Sequence, residues 1–131
     1  MRTIEQILRE SKTIAVVGLS NDPSRPSYGI AMALQRHGYR IIPVNPKETQ
    51  ILGETVYATL ADIPVPVDLV NVFRRPQQAP AVVHEAVAIG AKAVWLQSDI
   101  ISEEAEAIAL AAGLDFVMDR CIMVEHRKLA L

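Results

Sequence analysis

Small, polar and cationic residues follow the first apolar run of the chain. This run, residues 13–17, ends at Gly18, and a glycine at a strand end lets the backbone turn tightly and come close to a ligand. Successive backbone N–H groups ahead of a helix attract an anion, and Arg25 adds a positive charge to the same loop. We predict an anion-binding loop here, with an ordinary strand-to-helix connection as the alternative. The candidate contacts are Gly18, Leu19, Ser20, Asn21 and Arg25.

A second candidate segment, Asn45-Pro46-Lys47, follows the next apolar run. Nucleotide-binding proteins that hold a free ribose diol place Asp or Glu near this point. Here the acid is absent and Lys47 supplies a positive charge, which suits a phosphorylated ribose. NADP carries a 2′-phosphate and coenzyme A a 3′-phosphate, so the residues leave both open. A plain turn at Pro46 with a solvated Lys47 is the third interpretation.

Phe73 and Arg74 form a third candidate segment, because they end another apolar run. Phe73 offers an apolar wall and Arg74 a further phosphate partner. Two adjacent arginines seldom both point inward, so we expect either Arg74 or Arg75 to lie on the surface. Later in the chain, Trp95 is expected in the core, and Gln97 is a candidate to reach the same crevice.

Apolar, β-branched runs alternate with stretches of helical spacing along the chain. Such runs are typical of strands buried on both faces of a parallel sheet. Thr3 and Gln6 are spaced as a capping box, and Asp62 is placed to cap a short helix. We predict strands over residues 13–17, 40–44, 55–57, 68–73, 93–96 and 116–118. We predict helices over residues 3–10, 28–37 and 80–89, a short one from Thr59, and one between Ser102 and Gly113, and no element in the tail 119–131.

This alternation predicts an α/β fold: a three-layer, Rossmann-like domain with an open parallel sheet that spans residues 1–131. We predict the strand order 3-2-1-4-5-6, which places the first strand centrally with residues 68–73 beside it. The three candidate segments would then meet at the carboxyl ends of neighbouring strands, where the chain reverses direction. Open α/β sheets bind their ligands at that point.

Composition excludes several classes of function. Half of the residues are hydrophobic and the net charge is -2, so a globular protein is expected and a nucleic-acid footprint is not. The sequence has no apolar run long enough to cross a membrane. A single cysteine permits no disulfide within the chain, which favours a reducing, cytoplasmic environment.

Five segments together resemble a known family: VVGLSNDPSRPSYGIAMAL, GYRIIPVNPK, VNVFRRP, AVWLQ and VMDRCIMVEHRKL. They are similar to the small, stand-alone CoA-binding proteins of bacteria and archaea and, more distantly, to the N-terminal CoA-binding domain of the succinyl-CoA synthetase α subunit. The resemblance implies that the loop 18–20 holds a CoA phosphate, that Lys47 borders the adenosine, and that Phe73 and Arg74 line the nucleotide. The synthetase's phosphorylated histidine belongs to a following domain that is absent here, so the ligase reaction is not carried over.

No catalytic or metal-binding residue is predicted. His37 and His84 are expected on helix surfaces without a ligand partner, and Ser20 lacks the surroundings of a hydrolase nucleophile. Cys121 with His126 could form a nucleophilic pair, although a lone cysteine is more often a small buried hydrophobe. A mixed disulfide between Cys121 and the thiol of CoA is a further hypothesis.

The function expected from these observations is binding of CoA or an acyl-CoA without catalysis, in a sensing, carrier or regulatory role. An NADP-binding fragment of an oxidoreductase is one alternative. A CoA-binding subunit of a split acyl-CoA synthetase, with catalysis on a separate chain, is another. The sequence identifies no protein partner.

Overall fold

Strands and helices alternate along the chain in the computed structural model, which describes residues 1–131. The strands are β1 (Thr13–Val17), β2 (Arg40–Val44), β3 (Gln50–Ile51), β4 (Glu54–Thr55), β5 (Leu69–Val72), β6 (Ala93–Leu96) and β7 (Asp115–Val117). The α-helices are α1 (Ile4–Glu10), α2 (Pro26–Arg36), α3 (Ala79–Ala88), α4 (Glu103–Ala111) and α5 (Ile122–Lys128). Short 3₁₀ turns cover Leu60–Asp62 and Pro76–Gln78.

Five strands form one parallel sheet in the order β2-β1-β5-β6-β7. The interior strands are buried on both faces, which explains their continuous apolar sequences. On one face the sheet packs against α3 and α4, and on the other against α1, α2 and α5. The predicted three-layer α/β architecture is therefore confirmed.

The predicted third strand, residues 55–57, is absent from this sheet. The chain instead forms the small antiparallel hairpin β3–β4, which turns at Leu52 and Gly53 with φ of 54° and 77°. Only Tyr57 reaches the edge of β2, through a single parallel bridge to Val44. Two consecutive residues with positive φ form a tight hairpin turn, and the pairing of residues 50–51 with 54–55 leaves only Tyr57 to pair with β2. The order 3-2-1-4-5-6 thus lacks its first member.

The tail forms a helix, so the expectation that it forms no element is wrong. Ile122 and Met123 of α5 are buried against the face that carries α1 and α2. The helix is fixed at its start by the sheet: the Ile122 N–H donates to Oε1 of Gln97 at 3.0 Å, and Nε1 of Trp95 donates to the Arg120 carbonyl at 2.8 Å. Trp95 is fully buried, as predicted.

The predicted helix starts are also found. Thr3 and Gln6 form the reciprocal capping box of α1, with distances of 2.8 and 3.1 Å. The hydroxyl of Ser102 accepts the Ala105 N–H at the start of α4, and Asp62 accepts from Thr59 at its short turn. No helix of the structure has the length and apolar character needed to cross a membrane.

Candidate functional site

The three candidate segments lie together at the carboxyl ends of β2, β1 and β5. The Gly18 N–H donates to the Val44 carbonyl at 2.9 Å, and the Phe73 N–H donates to the Val17 carbonyl at 2.8 Å. The side-chain amide of Asn45 donates to the Leu19 carbonyl at 3.0 Å, which ties the second segment to the first. Parallel strands end at the same edge of a sheet, so the loops that follow them lie close together. The three candidate segments therefore meet as predicted.

Gly18 is the point at which the first and third segments touch. Its φ is +85°, and a Cβ atom built there would collide with the carbonyl oxygen of Phe73 and lie 3.3 Å from Nε of Arg74. Only glycine combines this backbone conformation with this approach at low cost. The glycine thus brings the guanidinium of Arg74 beside the loop that follows β1.

The loop between β1 and α2 is ordered by its own short side chains. The hydroxyl of Ser27 accepts the Ser20 N–H at 3.0 Å, and the Ser20 hydroxyl accepts the Asp22 N–H at 3.0 Å. Asp22 accepts the N–H and the hydroxyl of Ser24 at 2.9 and 2.8 Å. The pKa of Asp22 is lowered by the Ser24 N–H first, then by the Ser24 hydroxyl and the nearby charge of Arg25. A pre-formed loop of this kind loses little conformational entropy on binding.

The structure refines which N–H groups of this loop are available. The N–H groups of Gly18 and Ser20 are already bonded to Val44 and Ser27. Those of Leu19 and Asn21 have no acceptor within the protein. Sequence spacing identified the loop but could not distinguish used from unused donors.

A first cavity, of about 270 Å³, opens between this loop and α2, and we call it the α2-side cavity. Arg25 is the only charged residue in its wall, and it makes no ion pair within the protein. The cavity has hydroxyl groups and one cation, so it suits an anion. It is lined by Gly18, Ser20, Arg25, Pro26, Ser27 and Phe73.

A second cavity, of about 600 Å³, lies on the other side of the Gly18–Phe73 contact, and we call it the α3-side cavity. Val17, Val44 and Leu60 are buried residues that contribute to its wall, and Arg74 lies at its entrance toward Gly18. The contribution of α3 to this wall was not predicted, although the spacing of Gln77, Ala81 and Glu85 indicates one helix face. The lining residues are Val17, Val44, Pro46, Ala58, Thr59, Leu60, Arg74, Gln77, Gln78, Ala81, Val82 and Glu85.

Three predicted site residues lie outside the walls of both cavities. Lys47 is exposed and unpaired, with its N–H bonded to Oδ1 of Asn45, so its ammonium group is free beside Pro46 of the α3-side cavity. Asn21 is exposed and its amide donates to Glu48 at 3.4 Å. Gln97 lines neither cavity, because it is 4% exposed and its oxygen is bonded to the start of α5.

Cys121 and His126 do not form a pair. Cys121 is the half-buried residue before the first turn of α5. His126 lies five residues later, on a different face of the helix, where its ring packs against His37 with 4.3 Å between centroids. His37 and His126 therefore lie at the amino edge of the sheet, opposite the candidate site.

Comparison with known proteins agrees with this arrangement. The family model described as "CoA binding domain" matches residues 12–127, which includes all three loops and both cavities. The chain belongs to this family. The predicted resemblance to CoA-binding proteins is thereby confirmed.

Some relatives match this chain over most of their own length, and others match it over only a small part. The uncharacterized protein YneT of Bacillus subtilis is 44% identical over 123 residues, covering 94% of this chain and 91% of that protein. A hypothetical protein from Pyrococcus horikoshii has a TM-score of 0.95 at 39% identity, covering 98% of this chain and 90% of that one. The ADP-forming acetate–CoA ligase II of Archaeoglobus fulgidus is 33% identical over 72% of this chain, but the match covers only 14% of the ligase.

Proposed function

We propose that this chain binds coenzyme A or an acyl-CoA at the carboxyl edge of its sheet and carries out no chemistry on it. One observation carries the proposal: two cavities of different character lie on either side of the Gly18–Phe73 contact. A nucleotide that bears phosphates at one end and an apolar ring or arm at the other matches this division. Arg25, Arg74 and Lys47 provide unpaired positive charge around it.

The sizes of the cavities decide which part of the ligand each receives. The α2-side cavity, at about 270 Å³, suits the diphosphate rather than a whole nucleoside. Arg25 and the hydroxyl groups of Ser20 and Ser27 supply its donors, and the unused N–H groups of Leu19 and Asn21 belong to the same loop. The α3-side cavity, at about 600 Å³, receives the adenosine, and Lys47 and Arg74 flank it to meet the 3′-phosphate. The pantetheine arm leaves past Phe73.

The placement of the histidines favours binding without catalysis. His37 and His126 lie at the opposite edge of the sheet, and His84 is exposed on α3 and lines neither cavity. Neither cavity therefore has a histidine to accept a phosphoryl group or a proton. The bound CoA would serve sensing, carriage or control of a partner protein.

A CoA-binding subunit of an acyl-CoA ligase is the second candidate, favoured by the similarity to ADP-forming acetate–CoA ligases. Two α subunits of such ligases from Pyrococcus furiosus match this chain at 39% over 57 residues and 33% over 107 residues. The chain spans at most 23% of these ligase sequences. Catalysis would then reside on other chains, and CoA would bind at the same edge in both cases.

Calorimetric titration with CoA, dephospho-CoA and NADP tests the proposal. We expect CoA to bind more tightly than dephospho-CoA, because Lys47 and Arg74 meet the additional phosphate. We expect NADP to bind more weakly than CoA, since its phosphate is on the 2′ position and it has no pantetheine arm. Equal affinity for CoA and dephospho-CoA would exclude the phosphate role, and preference for NADP would favour the oxidoreductase alternative.

Replacing Lys47 by Ala isolates one charge of the site. We expect the variant to lose about 1–3 kcal/mol of CoA binding, the usual range for a charge-assisted hydrogen bond. Lys92→Ala removes the same charge from an exposed position at the opposite edge and serves as the control. If the two variants bind CoA as the parent does, Lys47 has no role in recognition.

A further inference from the structure

A third cavity lies at the amino edge of the sheet, opposite the proposed CoA site, and we call it the amino-edge pocket. Its volume is about 340 Å³, which fits a small molecule. The carboxyl ends of α1 and α2 and the last turn of α5 meet there with the start of β1. The pocket is lined by Leu8, Arg9, Ser11, Lys12, His37, Gly38, Tyr39, His126 and Leu131.

Hydrogen-bond donors accumulate in this pocket without acceptors. The rings of His37 and His126 lie 4.3 Å apart between centroids and are tilted by 43°, and no hydrogen bond joins their nitrogens to the protein, although His126 is only 3% exposed. The ammonium group of Lys12 forms no ion pair. The hydroxyl of Ser11, a residue that is 5% exposed, also has no partner. A buried polar group without a partner is costly.

The acceptors around the pocket are already in use. The Tyr39 hydroxyl donates to the Leu8 carbonyl at 2.6 Å, and the Tyr39 N–H donates to the Leu34 carbonyl at 3.1 Å. The Ser11 and Gly38 N–H groups donate to the carbonyls of Ile7 and Gln35. Four of the carbonyls that usually make helix ends attractive to cations, those of Ile7, Leu8, Leu34 and Gln35, are thereby occupied.

The side-chain acids near the pocket are committed elsewhere. Glu5 holds Arg9 at 2.8 Å, and Asp68 accepts the N–H groups of Lys12 and Thr13 at 2.9 and 3.0 Å. The only acid among the lining residues is the carboxylate of Leu131, which forms no ion pair. The ammonium group of Lys12 and the unused donors of Ser11, His37 and His126 therefore outnumber the acids of the pocket.

We propose that the amino-edge pocket binds a small oxyanion, the phosphate or carboxylate group of a compact molecule, through Lys12, His37 and His126. Lys12 supplies a fixed charge at the rim, and the two imidazoles donate from the wall. The site is independent of CoA, because its residues lie at the edge of the sheet that the three CoA loops do not reach.

Nuclear magnetic resonance of the histidine rings tests the proposal directly. The protein is titrated with inorganic phosphate and, separately, with malonate, while the ring resonances of His37 and His126 are followed. Phosphate that binds at the CoA site does not obscure the result, since neither ring lies there. We expect saturable shifts of both rings with at least one of the two probes, and the stronger probe identifies the preferred oxyanion.

Substitutions of exposed residues test the site without disturbing the hydrophobic core. Lys12→Gln and His37→Asn should each weaken the anion affinity by about tenfold, as expected for loss of a charge-assisted hydrogen bond. Arg127→Gln removes a positive charge from an exposed residue of α5 that forms no ion pair and does not line the pocket, so it should leave the anion affinity unchanged, and all three variants should bind CoA as the parent does. Shifts that fail to saturate with both probes, or that respond equally to Lys12→Gln and Arg127→Gln, would overturn the proposal.

Discussion

Gly18 allows the backbone after β1 to approach Phe73 and Arg74 closely. A side chain at this position would meet the Phe73 carbonyl, and the backbone has a φ of +85°. The close approach places Arg74, a residue of the α3-side cavity, beside the β1 loop that lines the α2-side cavity. Loss of the glycine should affect both the fold and the ligand.

Replacing Gly18 by Ala is expected to lower the free energy of unfolding by about 2 kcal/mol or more, because it adds a steric collision to the strain of a positive φ. Gly113→Ala is the matched control, since Gly113 has a φ of +80° and open space around it. The control should cost only about 1 kcal/mol. Urea unfolding followed by the fluorescence of Trp95 measures both, and equal losses would contradict the collision.

The polar side chain of Asn71 has no hydrogen-bond partner that accounts for its burial. It is fully buried in β5 between Val16 and Trp95, and neither polar atom of its amide has a hydrogen-bond partner. Such a group weakens a fold unless it is satisfied.

Asn71→Val should therefore raise the free energy of unfolding by about 1–3 kcal/mol, because it removes two unpartnered polar atoms and suits a strand. Urea unfolding of the variant and the parent measures the difference. A less stable variant would show that the amide makes a hydrogen bond in solution, for example to an enclosed water.

At the scale of elements, α5 joins the two edges of the sheet. Its start is bonded to Gln97 near the proposed CoA site, and its His126 closes the amino-edge pocket. Burial lowers the pKa of His126 below its ordinary value of 6.5, and the neighbouring charge of His37 lowers it further. Arg9 and Lys12 line the same pocket, Tyr39 faces the ring, and the Leu131 carboxylate forms no ion pair with His126, so protonation of this ring gains no ion pair there.

The packing of α5 should consequently depend on pH. The stabilising contribution of neutral His126 is complete above pH 6.5 and decreases as the pH falls toward the lowered folded-state pKa, because the unfolded chain then binds the proton more readily. His126→Phe should flatten this part of the stability profile, whereas His84→Gln, at an exposed position, should not. Urea unfolding at several pH values in phosphate-free buffer measures it, and an unchanged slope in His126→Phe would exclude His126 as the cause.

The elements that the sequence predicted well are those whose signals are local. An apolar run predicts each of the strands β1, β2, β5 and β6. A capping residue predicts each of two helix starts, at Thr3 and at Ser102. The helix α5 was missed because it is short and begins at Cys121, which gives no capping signal, so its stability depends on Gln97 and Trp95 from a distant strand. Contacts between residues that are distant in the sequence cannot be predicted from a local sequence pattern.

The candidate site also has features that the sequence predicts and features that it does not. The meeting of the three loops could be predicted from the topology of a parallel sheet, without knowledge of the side-chain contacts. The sequence could not reveal that Gly18 and Ser20 have committed N–H groups, nor that Gln97 serves α5. These facts depend on which of several nearby acceptors each donor meets in the folded chain.

At the scale of the whole molecule, the two edges of one sheet have different chemistry. The carboxyl edge has the Gly18–Phe73 contact, two cavities and three unpaired cations from separate loops. The amino edge has the histidine pair and a larger groove of about 850 Å³ beside the ion pair of Arg2 and Asp115. That groove lacks a converging set of strand-end loops and is not assigned to the nucleotide.

Amide chemical shifts recorded during a CoA titration would locate the binding site on the backbone. We expect saturable shifts in the loops at residues 18–27, 45–47 and 73–78, with the amides of Lys12, His37 and His126 unaffected. Saturable shifts clustered at the amino edge, or no saturable shift in any of the three loops, would contradict this expectation.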